Sequence, residues 1–260
     1  MTTEERLEKL EREIEKMKTL ICTKALCILD DQGQECIKLN VDEDGPMLAM
    51  IDKNGTVRAG MNVNKDRPML TLTDKNGTPR VGMNVIEDGP LLTMFDENGQ
   101  PSAIIAVTED GPGLLMLDEN GKPRAKITVA KNGPGLFMMD ENENLRAGMN
   151  VDETGPMLSM MDENENLRAG MKVNEDGPVL LMADKNSEPS AQMSVYKDGP
   201  RLAMFDENAK LRAQMSVAKD GPGLFMGDAN GNPRAWMGVV EDGPRILMKD
   251  EKEKHVWSAP

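Results

Sequence analysis

Residues 41–62 read VDEDGPMLAMIDKNGTVRAGMN, and this stretch decides the fold. It opens a series of ten segments of 22 residues that follow one another without insertion up to residue 260, and we call them repeats 1 to 10. A partial repeat, residues 25–40, precedes them. Self-similarity at such a fixed period is typical of repeat architectures, in which each copy buries its apolar face against its neighbours.

Apolar residues occupy alternate positions within each repeat, which is the period of a β-strand. In repeat 1 these apolar columns are Val41, Leu48, Met50, Ala59 and Met61. If the chain reverses within the repeat, Leu48 lies opposite Met61 and Met50 lies opposite Ala59, so all four share one face. We therefore predict that the columns form a core. The opposite face carries variable, half-polar positions, and we expect it to lie toward solvent.

The predicted reversal lies at Asp52-x-Asn54-Gly55, because Asn-Gly between apolar runs is a strong hairpin signal. We expect a two-residue turn at Asn54-Gly55, with Asp52 accepting turn N–H groups and Asn54 supplying the positive φ. In four repeats Asn is followed by Glu, Ser or Ala instead of Gly. The motif also resembles a fragment of a calcium loop, so weak calcium binding stays open. A second turn, residues 64–67, keeps the columns on one face.

The first 21 residues have the apolar spacing of a coiled coil. Residues 6–11 read RLEKLE and resemble the Arg-h-x-x-h-Glu pattern (h, apolar) of short three-stranded coiled coils. In those coiled coils the Arg stem covers the apolar layer and its head pairs with a Glu of a neighbouring chain. This resemblance implies a homotrimer. The residues assigned to trimerisation are Arg6, Leu7, Leu10, Glu11, Ile14, Met17 and Ile21.

A meander of hairpins with one apolar face requires a partner, since that face has to leave water. We predict an all-β repeat fibre: a parallel homotrimer whose antiparallel hairpins build a three-sided β-prism with the columns on its axis. Two strands per repeat, each about 4.8 Å wide, give a shaft of about 100 Å. The alternative is a single-chain parallel β-solenoid with one repeat per coil. Stacked coils would place Asp52 and its equivalents in a row about 4.8 Å apart, where ionised carboxylates repel one another. This repulsion favours the prism without excluding the solenoid.

Composition excludes several classes of function. The formal charge of −14 disfavours binding to nucleic acid or to an anionic membrane. One His and three Cys leave little material for a catalytic triad or a zinc site, and we expect no enzyme activity, no cofactor, no metal and free thiols. The Met columns are interpreted as core rather than as ligands for Cu(I). No signal peptide or membrane span is evident, so we expect synthesis in the cytoplasm and leave the final location open.

We divide the chain into a coiled-coil helix (1–21), a junction with a partial repeat (22–40), nine repeats (41–238) and an atypical last repeat (239–260). In the last repeat Trp257 replaces the usual small residue. Terminal repeats often cap an exposed core, so Trp257 is predicted to cap the shaft. The same end is alternatively a docking tip for a protein partner.

The repeat GPxLxMxDxNGxxRAxMxV resembles tandem repeats of bacterial proteins that carry an N-terminal coiled coil followed by DENG-x-x-RA segments. The resemblance covers residues 25–260 and implies no particular activity. The layout, a coiled coil followed by a repetitive β region, is also similar to that of trimeric fibre shafts. The expected function is a structural shaft, spacer or filament subunit that assembles with itself. Whether trimers also join end to end is left open. The alternative is a fibre or adhesin that binds through its outer face or its C-terminal tip.

Overall fold

The computed structural model describes residues 2–19 and 25–259, without the side chains of residues 15–19. The chain divides into two compact parts, residues 1–100 and 101–260. Helix α1, Thr3–Thr19, opens the first part. Thr2 caps it by accepting a hydrogen bond of 3.2 Å from the backbone N–H of Glu5 on its hydroxyl oxygen. No helix of these described ranges has the length and apolar character needed to cross a bilayer.

Every further element of the described chain is a β-strand. In the first part they are β1 (Ala25–Leu29), β2 (Glu35–Asp42), β3 (Gly45–Ile51), β4 (Val57–Asn64), β5 (Arg67–Thr73), β6 (Pro79–Ile86) and β7 (Gly89–Phe95). In the second part they are β8 (Pro101–Thr108), β9 (Gly111–Leu117), β10 (Pro123–Ala130), β11 (Gly133–Met139), β12 (Leu145–Asp152), β13 (Gly155–Met161), β14 (Leu167–Asn174), β15 (Gly177–Ala183), β16 (Pro189–Tyr196), β17 (Gly199–Phe205), β18 (Leu211–Ala218), β19 (Gly221–Gly227), β20 (Pro233–Val240), β21 (Gly243–Lys249) and β22 (His255–Ala259).

Within each part, every strand pairs antiparallel with the next strand along the chain. Leu48 pairs with Met61 and Met50 pairs with Ala59, which is the register that the alternation predicts. The predicted all-β architecture of antiparallel hairpins is thus confirmed. The parallel solenoid is wrong, because short turns return the chain beside itself in the opposite direction and parallel pairing requires long crossovers.

The turn inside each repeat is longer than predicted. The N–H of Gly55 donates to the carbonyl oxygen of Asp52 (2.9 Å), and the N–H of Asp52 donates to the carbonyl oxygen of Thr56 (2.9 Å). Gly55 has a φ of 81°, and the register shifts by one residue between Met50 and Ile51, at the end of the strand before the turn. The turn is therefore a four-residue turn closed by a bulge, in which Gly55 rather than Asn54 supplies the positive φ.

Repeats without this Gly adopt the same turn with another residue at positive φ. The φ of that residue lies between 57° and 69° at Glu143, Glu165, Ser187, Ala209 and Glu253. The expectation that Asn takes over the positive φ in these repeats is wrong. The bulge fixes the left-handed position one residue later, so any side chain at that place has to accept it at a cost of about 1–2 kcal/mol.

The turn between repeats depends on a different glycine. Gly45 has a φ of 121°, and a Cβ at this position would collide with the carbonyl oxygen of Val63. Nine of the ten repeats carry Gly here, and repeat 2 carries Arg67. In repeat 2 the turn instead places Lys65 and Asp66 at positive φ values of 45° and 70°. The exchange of one glycine for arginine thus changes the type of turn.

Candidate assembly surface

One face of the strands carries the predicted core columns. Leu48 and Met50 of β3 lie beside Ala59 and Met61 of β4, because alternate residues of a strand point to the same side. Val41 of β2 continues the face toward the preceding strand. We call the surface formed by these residues and their equivalents in every repeat the apolar face, and the opposite surface the outer face.

In the single chain the apolar face is half exposed. The exposed fraction is 62% for Val41, 50% for Met50 and 53% for Met61, whereas Leu48 and Ala59 are half-buried. The same exposure continues along the Met and Ile columns, at Met83, Met94, Ile105, Met116, Ile127, Met138, Met149, Met160, Met171, Met182, Met193, Met204, Met215, Met226, Met237 and Met248. The columns therefore form a surface of one chain, and their role as a core shared between chains stays a prediction.

The outer face contains the most buried residues of the chain. Ala49 and Ala203 are each 1% exposed and Ser159 is 4% exposed. The expectation that this face lies open to solvent is wrong for these central positions. Small residues and glycines alternate here with large side chains that cover them: a Cβ on Gly148 would lie 3.4 Å from the ring of Phe137. Such aromatic cover of strand glycines shields the backbone from water.

The carboxylate of Asp52 organises its turn. Its Oδ1 accepts hydrogen bonds from the N–H groups of Asn54 (2.9 Å) and Thr56 (3.1 Å). The bond from Asn54 lowers the pKa of Asp52 below its ordinary value, and partial desolvation of the carboxylate opposes this shift. The turn N–H groups that a cation would displace are thus already bonded to the carboxylate, which is the arrangement of an Asx turn.

Arginines link several repeats to the next one, by bonds from Arg58, Arg80, Arg146, Arg168, Arg212 and Arg234 to a backbone carbonyl oxygen of the following repeat. Arg58 approaches Asp52 of its own repeat, with 3.4 Å between Nη1 and Oδ2, and its Nε donates to the carbonyl oxygen of Thr73 in the following repeat (3.2 Å). The ion pair recurs at Arg124–Asp118, Arg146–Asp140, Arg168–Asp162, Arg212–Asp206 and Arg234–Asp228. Each pair is partly exposed to water and contributes little stability by itself. Sequence reasoning missed this linkage because the bonded carbonyl belongs to the backbone.

Asp228 shows the strongest effect of this network. Desolvation raises the pKa of this carboxyl, but it is outweighed by hydrogen bonds from the backbone N–H groups of Asn232 and Asn230 and from Arg234, so that the pKa falls from 3.8 to about 2. The carboxylate is therefore charged over the ordinary pH range and fixes both the turn and the arginine.

The helical residues assigned to trimerisation lie only partly within the described chain. Leu7, Leu10 and Ile14 are more than half exposed on α1. Arg6 and Glu11 are also exposed on this helix. The side chain of Met17 and the whole of Ile21 lie outside the described residues. The apolar row of the helix, like the apolar face of the strands, has no cover from the described part of its own chain.

The last repeat ends in the short strand β22. Trp257 pairs with Met248 of β21 and is 49% exposed on the apolar face. The structure places the indole in the column that small residues occupy elsewhere. The predicted capping role depends on neighbouring copies of the chain and stays a prediction.

Other chemistry-bearing groups are sparse in the described ranges. No three His, Cys, Asp or Glu side chains of these residues cluster as metal ligands. Cys27 and Cys36 are free thiols, and Cys22 lies outside the description. Partial desolvation raises the pKa of the exposed Cys27 thiol, and the hydrogen bond that it donates to Glu35 acts in the same direction. A raised pKa reduces the thiolate fraction and hence the reactivity of this cysteine.

Comparison with solved structures finds distant likenesses. No protein-family model and no curated protein matches the chain. A mutant of S. aureus TarM in complex with Fondaparinux, alpha-GlcNAc-glycerol and UDP is 12% identical with a TM-score of 0.27, over 50% of this chain and 24% of that one. The Photorhabdus luminescens Tc holotoxin pore is 11% identical with a TM-score of 0.24, over 89% and 15%. An Agrocybe aegerita lectin is 12% identical with a TM-score of 0.19, over 93% and 72%.

The chain spans about a quarter or less of the first two of these structures. At such TM-scores the likenesses carry no argument about the fold or the function of this chain.

Proposed function

We propose that this chain is a non-enzymatic structural protein, a rigid β shaft in which three parallel copies turn their apolar faces toward a common axis. It serves as a spacer or as the subunit of a filament. The observation that carries the proposal is the half-exposed apolar face, which recurs in every repeat. Within the described chain the buried apolar residues are the small Ala49, Ala183 and Ala203.

The accessible area supports assembly. The chain exposes 18623 Å², whereas a compact monomer of its mass of 28.6 kDa would expose about 11,000 Å². The surplus of roughly 7,000 Å² exceeds the area of about 800 Å² that each partner buries in a standard interface. Exposed apolar patches of more than a few hundred Å² mark interaction surfaces. A partner that covers the apolar face therefore supplies the core that a single chain lacks.

The best partner for this surface is another copy of the same chain. The columns recur every 22 residues, so an identical chain in the same register presents matching columns along the whole length. Helix α1 has 17 residues and an exposed row at Leu7, Leu10 and Ile14, and a helix of that length is marginal alone. Two separate surfaces of one chain thus require cover. The pattern of Arg6 and Glu11 favours three copies.

Light scattering and small-angle X-ray scattering of the full chain test the proposal. A trimer has a mass of three times 28.6 kDa, about 86 kDa. We expect Met149→Asp, on the apolar face, to reduce this mass, because a carboxylate inside the assembly costs several kcal/mol in each chain. Lys126→Asp is the control, since Lys126 is exposed on the outer face and pairs with Phe137. A parent mass near 29 kDa would refute the proposal.

A second function, binding through the outer face, is supported by one observation. A depression on this face is lined by two cationic side chains, Lys65 and Arg67, that pair with no carboxylate of the described chain.

A further inference from the structure

The turn of repeat 2 departs from the other turns at the position where glycine is required. Arg67 stands where nine repeats have Gly, and the turn before it places Lys65 and Asp66 at positive φ. Two non-glycine residues in the left-handed region cost about 1–2 kcal/mol each. Backbone strain of this kind persists where the surrounding structure or a function maintains it.

A depression on the outer face begins at this turn. Its lining combines two cationic side chains, two amides and two apolar side chains: Lys65, Arg67, Asn64, Asn84, Met69 and Ile86. All six residues lie between positions 64 and 86, within the first compact part. The depression faces away from the Met columns, so assembly through the apolar face leaves it accessible.

Arg80 donates to the carbonyl oxygen of Asp96, and Arg201 lies over the ring of Tyr196. Arg58 and five of its equivalents pair with the Asp of their turn. Among the described residues, by contrast, no carboxylate lies within ion-pair distance of Lys65 or Arg67. Asn84 contributes a side-chain oxygen, Oδ1, that is buried and has no hydrogen-bond partner in the described chain. That oxygen is closed to solvent, and Asn40 Oδ1 of the partial repeat is in the same state, so the charge of the depression comes from Lys65 and Arg67 alone.

We propose that this depression binds a small oxyanion carried on a carbon frame, such as a sugar acid or a sugar phosphate. Lys65 and Arg67 supply the charge that a carboxylate or phosphate requires, and a guanidinium can donate two parallel bonds to such a group. Met69 and Ile86 provide the apolar surface against which the carbon frame of the ligand packs.

The surrounding repeats show why the site is confined to this turn. The equivalent positions around the preceding turn hold Asp42, Glu43 and Gly45, while Met47 and Asn62 are unchanged in type. One amide and one apolar side chain thus recur, Asn64 stands where the site has Ile86, and the two cations are replaced by a carboxylate and by no side chain. Anion binding at that turn is opposed by its own charge.

A variant that restores the common turn provides the test. The double substitution Lys65→Glu and Arg67→Gly changes the sequence of the turn, NKDRP, into NEDGP, which is the sequence of residues 174–178. This turn already exists in the fold, so the variant is expected to fold and to keep the assembled mass of the parent. Calorimetric titration of the full-length parent and variant then uses four probes: glucuronate, glucose 6-phosphate, glucose and inorganic phosphate.

We expect the parent to bind glucuronate or glucose 6-phosphate at least tenfold more tightly than glucose, and the variant to lose at least tenfold of that affinity. The preferred anion of the two identifies the acidic group, carboxylate or phosphate. Equal binding to parent and variant, or no heat with any probe, would overturn the site. Inorganic phosphate binding as tightly as glucose 6-phosphate would overturn the role of the apolar surface in holding the carbon frame. The mass measurement is independent of these titrations, so failure here leaves the structural function standing.

Discussion

Glu143 and Glu165 have the same strained backbone conformation and differ in one hydrogen bond, so substituting each of them separates the effect of the strain on stability from that of the bond. Both occupy the left-handed position of their turns, with φ values of 69° and 61°, in two repeats whose turns share the sequence DENENLR. The carboxylate of Glu165 accepts a hydrogen bond of 3.1 Å from the N–H of Leu145 in the preceding repeat. The corresponding residue before Glu143 is Pro123, which has no N–H to donate.

We predict that Glu143→Gly stabilises the protein and that Glu165→Gly does not. Relief of the left-handed conformation contributes about 1–2 kcal/mol, and the greater freedom of Gly in the unfolded chain returns about 0.5–1 kcal/mol. The net gain for Glu143→Gly is therefore roughly 0.5–1 kcal/mol, or a rise in Tm of about 2 °C for a chain of this size. Glu165→Gly has the same gain but loses a bond to a charged acceptor, worth about 1.5 kcal/mol or more.

Thermal and urea unfolding followed by circular dichroism provide the measurement. All samples are compared at one protein concentration, because assembly contributes to the apparent stability. The parent, the two single variants and the double variant complete the set. Equal shifts for Glu143→Gly and Glu165→Gly would refute the role of the bond to Leu145. A lower Tm for Glu143→Gly would refute the assignment of strain to the left-handed position.

Two further predictions concern the turns. Gly133→Ala should lower the Tm by several degrees, because Gly133 has a φ of 112° and a Cβ there would collide with the carbonyl oxygen of Val151. Gly121→Ala should lower the Tm less, because a Cβ at this position, with a φ of 76°, would meet no atom within 4 Å. Similar losses for the two variants would contradict this difference. The folded-state pKa of Asp228 is about 2, below the ordinary 3.8, so its stabilising contribution is present above about pH 4 and is lost as the pH falls toward 2. In the Asp228→Asn variant the urea midpoint of unfolding should change less between pH 5 and pH 2 than it does in the parent. An unchanged pH dependence would contradict the stabilising role of this carboxylate.

The register of the hairpins was predictable from the sequence because it depends on local alternation. A shift of one residue would move Met50 and Met61 to the other face, so the apolar pattern permits one pairing. The location of the turn at Asp52 and Gly55 was also predictable. Its type was not, because the bulge that transfers the positive φ from Asn54 to Gly55 depends on how Asp52 and Thr56 bond across the strand ends.

The burial of the outer face was not predictable from repeat positions alone. The variability of its residues suggested solvent, whereas Ala49 is 1% exposed in the folded chain. Burial depends on what the adjacent strands place over a residue, and a ring such as Phe137 covers glycines on its own and the next strand. The depression beside Arg67 had a signal in the sequence, the loss of Gly from an otherwise constant position. That this loss creates a depression was not predictable, because the lining includes Asn84, which lies 17 residues further along the chain.

The repeat period, the alternation and the turn residues determined by themselves that this chain forms antiparallel hairpins with one apolar face, since these features act over neighbouring residues. Tertiary structure alone decided which face is buried within a single chain, which backbone carbonyl each arginine reaches, and which side chains meet around Arg67. Those outcomes depend on contacts between strands whose side chains are brought together by pairing and twist. The order of residues along the chain does not show which of them come into contact when the strands pair.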